Sequence, residues 1–328
     1  MKIYRILLCL LVIFLACTGT ATAFAEESQE VYLGGYAVGL SSLGQGLYVD
    51  GFGYVTTESG EVSPFENSGV KVGDVLLKVN GKDVNDRDQV QNALKVGKNE
   101  LTIISDGEKK TVFGNSVFDL KSEKLKLGLY LSTTVDGVGT ISFVKKNKDF
   151  CALGHAVTTQ ENGTPVQIYK GEIFPCEIIN VVKSQKNDPG QLNGAVDKSK
   201  IIGKITKNQN LGIYGKMNSL PKTNLITVAK REEVKSGEAK ILSTIDGDEP
   251  KEYSCEIIKA EYQPTVAEKG LTVKITDKEL IEKCGGITRG MSGSPIIQSG
   301  KLVGVLTHVF ISDPLKGYGV YAEFLTDN

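Results

Sequence analysis

From Gly34 to about Asn115 the chain carries short aliphatic and β-branched runs broken by polar residues: AVGL, GLYVDGFGYV, GVKVGDVLLKVNGKDV and ELTIISDGEKKTV. Runs of this length predict short strands. Asn80-Gly81 supplies a tight hairpin turn, because both residues accept the positive φ such a turn needs. Asp106-Gly107 turns a closing strand pair. One amphipathic helix of about ten residues is expected to start near Asp86.

From Ser116 to Asn328 the pattern changes little and helical periodicity nearly vanishes. KLGLYLSTT, VGTISFV, PVQIYKGEIFPCEIINVV, IGKITK, NLITVAK and LTVKIT read as strands, and EAKILSTI pairs with EYSCEIIKAEY across a D-G-D-E-P turn. Several alternate apolar and polar residues, as half-buried antiparallel strands do. The expectation is an all-β barrel or a pair of barrels. The one clear helix is short, Asp277 to Lys283.

The first 25 residues differ. Lys2 and Arg5 precede an apolar run from Ile6 to Ala16, and small residues end in Ala23-Phe24-Ala25. That is the layout of a secretory signal peptide, retained as a membrane anchor if uncleaved. The mature domains are therefore expected outside the cytoplasm.

Composition narrows the chemistry. A net charge of -1 gives no basic footprint for nucleic acid. Two histidines in the whole chain and no H-E-x-x-H argue against a catalytic metal, and no cofactor motif is present. Of six cysteines, Cys9 and Cys17 fall in the leader. Cys151, Cys176, Cys255 and Cys284 are too widely spaced for a small-domain disulfide framework, and buried free thiols are the simpler reading.

The candidate chemistry lies in GMSGSP, residues 290 to 295. Ser292 needs a base to become a nucleophile. Gly290, lacking a Cβ, allows its N–H to turn inward beside that of Ser292, giving two donors for an oxyanion. A glycine-rich turn alone would also read this way. His155 in CALGHAV lies far upstream, where a two-barrel protease places its base; His308 in VLTHVF is the rival. A decayed protease acting only as a binding module is the alternative function.

Two resemblances follow from these residues. Ser63-Pro64, Ser68-Gly69-Val70, Gly73-Asp74-Val75-Leu76 and Val79-Asn80-Gly81 resemble a PDZ domain, assigned to residues 34–115. Such a domain takes an extended peptide as an added strand and captures its carboxylate in a glycine turn. Here that turn would be Val38-Gly39-Leu40, unless Gly39 merely bends a strand. The G-x-S-G-x-P loop, the V-G-Φ strand (Φ aliphatic) and Gly319-Val320-Tyr321 resemble chymotrypsin-like proteases, so residues 116–328 are assigned to a double-barrel peptidase domain.

LGHAV and GGITRGMSGSPIIQSGKLVGVLTHVFISDP together are similar to the stage IV sporulation protein B peptidases. That resemblance implies a serine endopeptidase in the space between the forespore and mother-cell membranes. Its implied substrate is a membrane-associated regulator of an intramembrane protease, whose release activates a late sigma factor. Self-cleavage and docking through the PDZ domain belong to the same picture. The resemblance also points to Asp277 as the acid behind His155; Asp197 is the next candidate among the aspartates between His155 and Ser292. Asp277 equally suits the N-cap of the helix it precedes.

Overall fold

The computed structural model describes residues 29–106, 108–158 and 170–326; the leader at 1–25 lies outside them. The chain opens with β1 (Glu30–Leu33) and a long β2 (Ala37–Phe52). A smaller unit follows, with β3 (Val55–Thr57), β4 (Gly60–Val62), β5 (Val75–Val79), β6 (Lys82–Asp83), α1 (Arg87–Ala93), β7 (Gly97–Ser105), β8 (Glu108–Asp119) and β9 (Lys124–Lys126). The long β10 (Leu129–Lys145) leads back, and β11 (Asp149–Ala152), β12 (Lys170–Val182), β13 (Gln191–Val196), β14 (Gly203–Gln209), β15 (Gly212–Met217) and β16 (Leu225–Thr227) come after it. The last third holds β17 (Gly237–Ser243), β18 (Lys251–Ala260), β19 (Leu271–Ile275), α2 (Lys278–Cys284), β20 (Pro295–Gln298), β21 (Lys301–Phe310), β22 (Asp313–Tyr321) and α3 (Ala322–Thr326).

Two barrels result. In the first, the order β10-β11-β15-β14-β12-β2 closes on itself because β2 also pairs with β10. The second closes as β17-β18-β19-β22-β21-β20. Closure leaves no open sheet edge in either ring. Alternation sets the facing: in β18, Tyr253, Cys255 and Ile257 point inward while Glu252, Ser254 and Glu256 stay in water. One apolar core fills the second barrel and runs on to Phe143 and Cys151 of the first and Leu192 of β13, so the barrels share an apolar interface.

The smaller unit has its own core around Phe65, Leu76, Val79, Leu101 and Ile103. Its local signals act as their chemistry requires. Asn80 and Gly81 both take positive φ, 52° and 79°, and Asp86 caps α1 by accepting from Gln89 N at 2.7 Å.

The boundary of this unit departs from the expected 34–115. The first half of β2 belongs to the first barrel, and the unit is inserted between β2 and β10, whose far ends pair as Val49 with Leu131 and Phe52 with Leu129. Val38-Gly39-Leu40 is therefore not a peptide-binding turn. Gly39 faces Val138 on one side and Phe174 on the other, so both strand edges are already paired. Val38 and Leu40 are buried in the barrel core. Sequence order alone placed this segment beside the small unit, whereas long-range pairing with β12 claims it for the barrel.

The open cleft of the small unit lies along α1 instead. Arg87, Val90 and Leu94 face Tyr54, Leu129 and Leu131 across about 360 Å³. Arg87 Nε donates to Leu131 O at 2.8 Å.

A Cβ at residue 39 would sit 2.3 Å from Val196 Cγ1. Gly39→Ala should cost about 1–3 kcal/mol through overpacking of the first barrel, read as a lower thermal midpoint. An unchanged midpoint with weakened peptide binding would restore the groove reading.

Candidate active site

The nucleophile loop fills the gap between α2 and β20. Ser292 stands between Gly290 at φ 100° and Gly293 at φ 102°, conformations L side chains resist. Gly293 is also confined by space, since a Cβ there would lie 2.1 Å from Thr140 O and 2.7 Å from Leu153 N. The loop is thereby pressed onto β10 and the histidine segment. Thr140 holds it, donating from Oγ1 to Gly290 O at 2.8 Å and from N to Ser292 O at 3.3 Å.

Two peptide planes in this loop are fixed from behind. Arg289 O accepts from Leu192 N at 2.9 Å, and Met291 O accepts from Ser294 N at 3.0 Å and from Ser294 Oγ at 2.7 Å. In a trans peptide the N–H points away from the carbonyl, and no cis bond occurs among the described residues. The N–H groups of Gly290 and Ser292 are thus aimed without being used: neither has a hydrogen-bond partner among the described residues. Ser294, the other loop serine, is fully buried with its hydroxyl bonded to Ser243 and Met291.

His155 arrives on a sharp turn. Leu153 and Gly154 both adopt φ of 68°, swinging the chain out of β11, and Leu153 N anchors to Thr140 O. Asn208 then grips the far side of the turn through both Val157 N and Val157 O. Nδ1 of His155 lies 2.8 Å from Ala156 O. A carbonyl only accepts, so Nδ1 carries the hydrogen and Nε2 keeps its lone pair. Burial pulls the His155 pKa below its ordinary value, with the Ala156 carbonyl and Glu268 opposing. At pH 7 the His155 ring is therefore mostly neutral, with Nε2 unprotonated.

His308 lies beside it, the ring centroids 4.7 Å apart. Although part of its surface meets water, desolvation first, then His155 and Lys269, bring its pKa down to about 4. The hydroxyl of Ser292 donates to Thr307 O at 2.5 Å, the residue preceding His308. The Ser292 hydroxyl hydrogen is thus committed to a backbone carbonyl.

Asp277 is seated elsewhere. It caps α2, accepting from Leu280 N at 3.1 Å, and it also accepts from Ser254 N at 3.2 Å. Thr272 of β19 lies opposite Tyr318, and Tyr318 opposite His308. From Thr272 to Asp277 is roughly 16 Å of extended chain. The charged neighbours of the histidines, Glu268 and Lys269, flank the other end of β19. Asp197 is exposed, and its carboxylate takes Ser199 N and Ser199 Oγ. What holds the histidine tautomer in this structure is the Ala156 carbonyl, a backbone group with no sequence signature. Thr140, which ties loop to barrel, was equally invisible.

The thiols offer no rival nucleophile. Cys151, Cys176, Cys255 and Cys284 are buried and unpaired. Burial pushes Cys151 and Cys255 up to about 12 and Cys284 up to about 11.

Two closed barrels whose seam holds Ser292, His308 and His155 have the architecture of a chymotrypsin-like serine protease, and this chain is a serine protease carrying a PDZ domain. Residues 123–326 match the family SpoIVB peptidase S55, and the chain belongs to that family. Residues 55–104 match the PDZ domain family. A search of curated proteins finds no match. Among solved structures, the active form of the Rv3671c protease from M. tuberculosis is similar at 15% identity and TM-score 0.35, over 59% of this chain and 72% of that one. Its inactive form is similar at 14% identity and TM-score 0.35, over 59% and 82% of the two chains.

Two outcomes follow from this geometry. Asp277→Ala should cost about 1 kcal/mol of stability, whereas Asp277→Asn keeps the cap and stays close to the parent. Cleavage should follow the same order, Asn above Ala, while a carboxylate acting on His155 would make both variants equally poor. In a pH–rate profile the neutral base is lost only as pH falls through the lowered His155 pKa. At pH 6.5, the ordinary histidine value, kcat/KM should therefore remain above half its plateau.

Proposed function

We propose that this protein is an exported serine endopeptidase of the sporulation stage IV B type, cleaving a membrane-associated regulator of an intramembrane protease, and also itself. The observation that carries the catalytic part is the pair of unpaired amides, Gly290 and Ser292, fixed from behind in a loop whose Ser292 hydroxyl reaches Thr307 O, one residue from the His308 ring that packs on His155. Ser292 leaves Thr307 O, passes its proton to Nε2 of His155 and attacks the scissile carbonyl. The two amides take the developing oxyanion, each such donor being worth about 3 kcal/mol in the transition state. The imidazolium is supported by the Ala156 carbonyl and by the charge of Glu268. His155 then protonates the leaving amine, and water reverses the steps to free Ser292.

Asp277 acts in this reading as a positioning residue, holding the start of α2 and through it the approach to the nucleophile loop. The cleft along α1 is the docking place for an extended substrate segment, since its apolar floor suits alternate side chains of an added strand. The sporulation substrate, the release of a late sigma factor and the intermembrane location rest on the family to which the chain belongs.

Ser292→Ala should lower peptide cleavage by roughly 10⁶-fold, with the thermal midpoint unchanged. A fluorophosphonate should label Ser292 in the parent, and the variant should fail to activate the late sigma factor in sporulating cells. Absent labelling of folded parent protein would overturn the protease and leave a PDZ binding module.

A further inference from the structure

The two histidines of the described chain stand side by side, His155 at the mouth of the first barrel and His308 on β21 of the second. We infer that His155 and His308 form a site for a divalent transition metal, Zn²⁺ the best suited, and that its occupation switches the protease off. Inhibition rests on His155 being the base, as proposed above; the metal binding itself does not.

Geometry carries the inference. An imidazole nitrogen lies a little over 1 Å from its ring centroid, so two rings on one tetrahedral zinc, with bonds of about 2.0–2.1 Å, have centroids about 5 Å apart. The observed separation is 4.7 Å, with the planes tilted by 35° and not stacked flat. The donor atoms are also available. Nδ1 of His155 is committed to Ala156 O, which leaves Nε2 as the ligand atom. The His308 ring packs on His155 and is otherwise exposed to solvent, so its nitrogens can be reached. A second-sphere carbonyl on the opposite nitrogen is the usual support of a metal-bound histidine, and Ala156 O is already in that position.

The chemistry of the pair agrees. Desolvation holds both imidazoles below the ordinary histidine pKa, so each presents a lone pair at neutral pH. Glu268 places a negative charge near His155 and Lys269 a positive one near His308, so the fixed charges nearly offset and binding rests on the two imidazoles. Imidazole suits Zn²⁺, Cu²⁺ and Ni²⁺ and does not suit Mg²⁺ or Ca²⁺. Water can complete the coordination shell at the cleft. With Nε2 of His155 bound to metal, no lone pair remains for the Ser292 proton, and catalysis stops without any change of fold.

Binding is tested in the full-length Ser292→Ala protein, which keeps both histidines and does no chemistry. After treatment with a chelator, ZnCl₂ followed by calorimetry should bind at one ion per chain with micromolar affinity, and CoCl₂ should give the visible bands of imidazole-bound cobalt. His308→Ala and His308→Gln should each weaken binding at least tenfold. In the active protein, ZnCl₂ should suppress fluorophosphonate labelling of Ser292, a chelator should restore it, and MgCl₂ should do nothing. Labelling of His308→Ala should resist the same ZnCl₂ concentration. Undiminished zinc affinity in the His308 variants, or no cobalt spectrum in Ser292→Ala, overturns the site. Failure of zinc alongside normal labelling of Ser292 leaves the protease reading standing.

Discussion

The working parts of this protease depend on one close contact, the seat of the nucleophile loop on Thr140. At Gly293 the loop approaches so near that a Cβ would collide with Thr140 O and Leu153 N. Thr140 uses three groups at once: Oγ1 and N bond the carbonyls of Gly290 and Ser292, and its own O receives Leu153 N. One residue of β10 thus holds the nucleophile loop of the second barrel and the histidine turn of the first. Buried hydrogen bonds of this kind are costly to leave unmade, so the loop has few other places to settle. The glycines serve this approach as much as they serve the oxyanion.

The second consequence of β10 concerns the PDZ unit. β2 and β10 are paired from Ala37 and Thr140 at one end to Phe52 and Leu129 at the other. The two strands run on from the barrel into the inserted domain, and an irregularity in their pairing between Ser132 and Thr134 marks the passage. Loops that join domains are ordinarily exposed and crossed by few contacts. Here the connection is two hydrogen-bonded strands, and Thr140, near one end of that ribbon, is the residue that seats the nucleophile. The cleft along α1 and the active seam are therefore parts of one sheet.

These features differ in how far they can be read from residues alone. Asn80-Gly81, the Asp86 cap and the DKELIEK helix are local, and each sits where its letters place it. The alternation in EAKILSTI and EYSCEIIKAEY was enough to foresee a half-buried hairpin, now β17 and β18. Val38-Gly39-Leu40 misled because a strand's letters do not name its partners: the same AVGL suits a groove edge or the middle of a barrel, and only pairing with Pro175, Phe174 and Ile173 decides. The Ala156 carbonyl leaves no mark in the sequence for another reason. Every residue has one, so no composition or spacing could single it out.

That carbonyl bears on how the base is set. A carboxylate behind a catalytic histidine does two things, choosing the tautomer and steadying the imidazolium. Ala156 O performs the first by accepting from Nδ1. For the second it offers a dipole in place of a full charge, with the charge of Glu268 acting in the same sense. A base supported in this way keeps a lower pKa than one backed by a buried carboxylate, because less opposes the cost of burying its charge. The same balance leaves Nε2 uncharged and open beside His308. The arrangement that keeps the base ready for the Ser292 proton is thus also the one that exposes it to a metal ion.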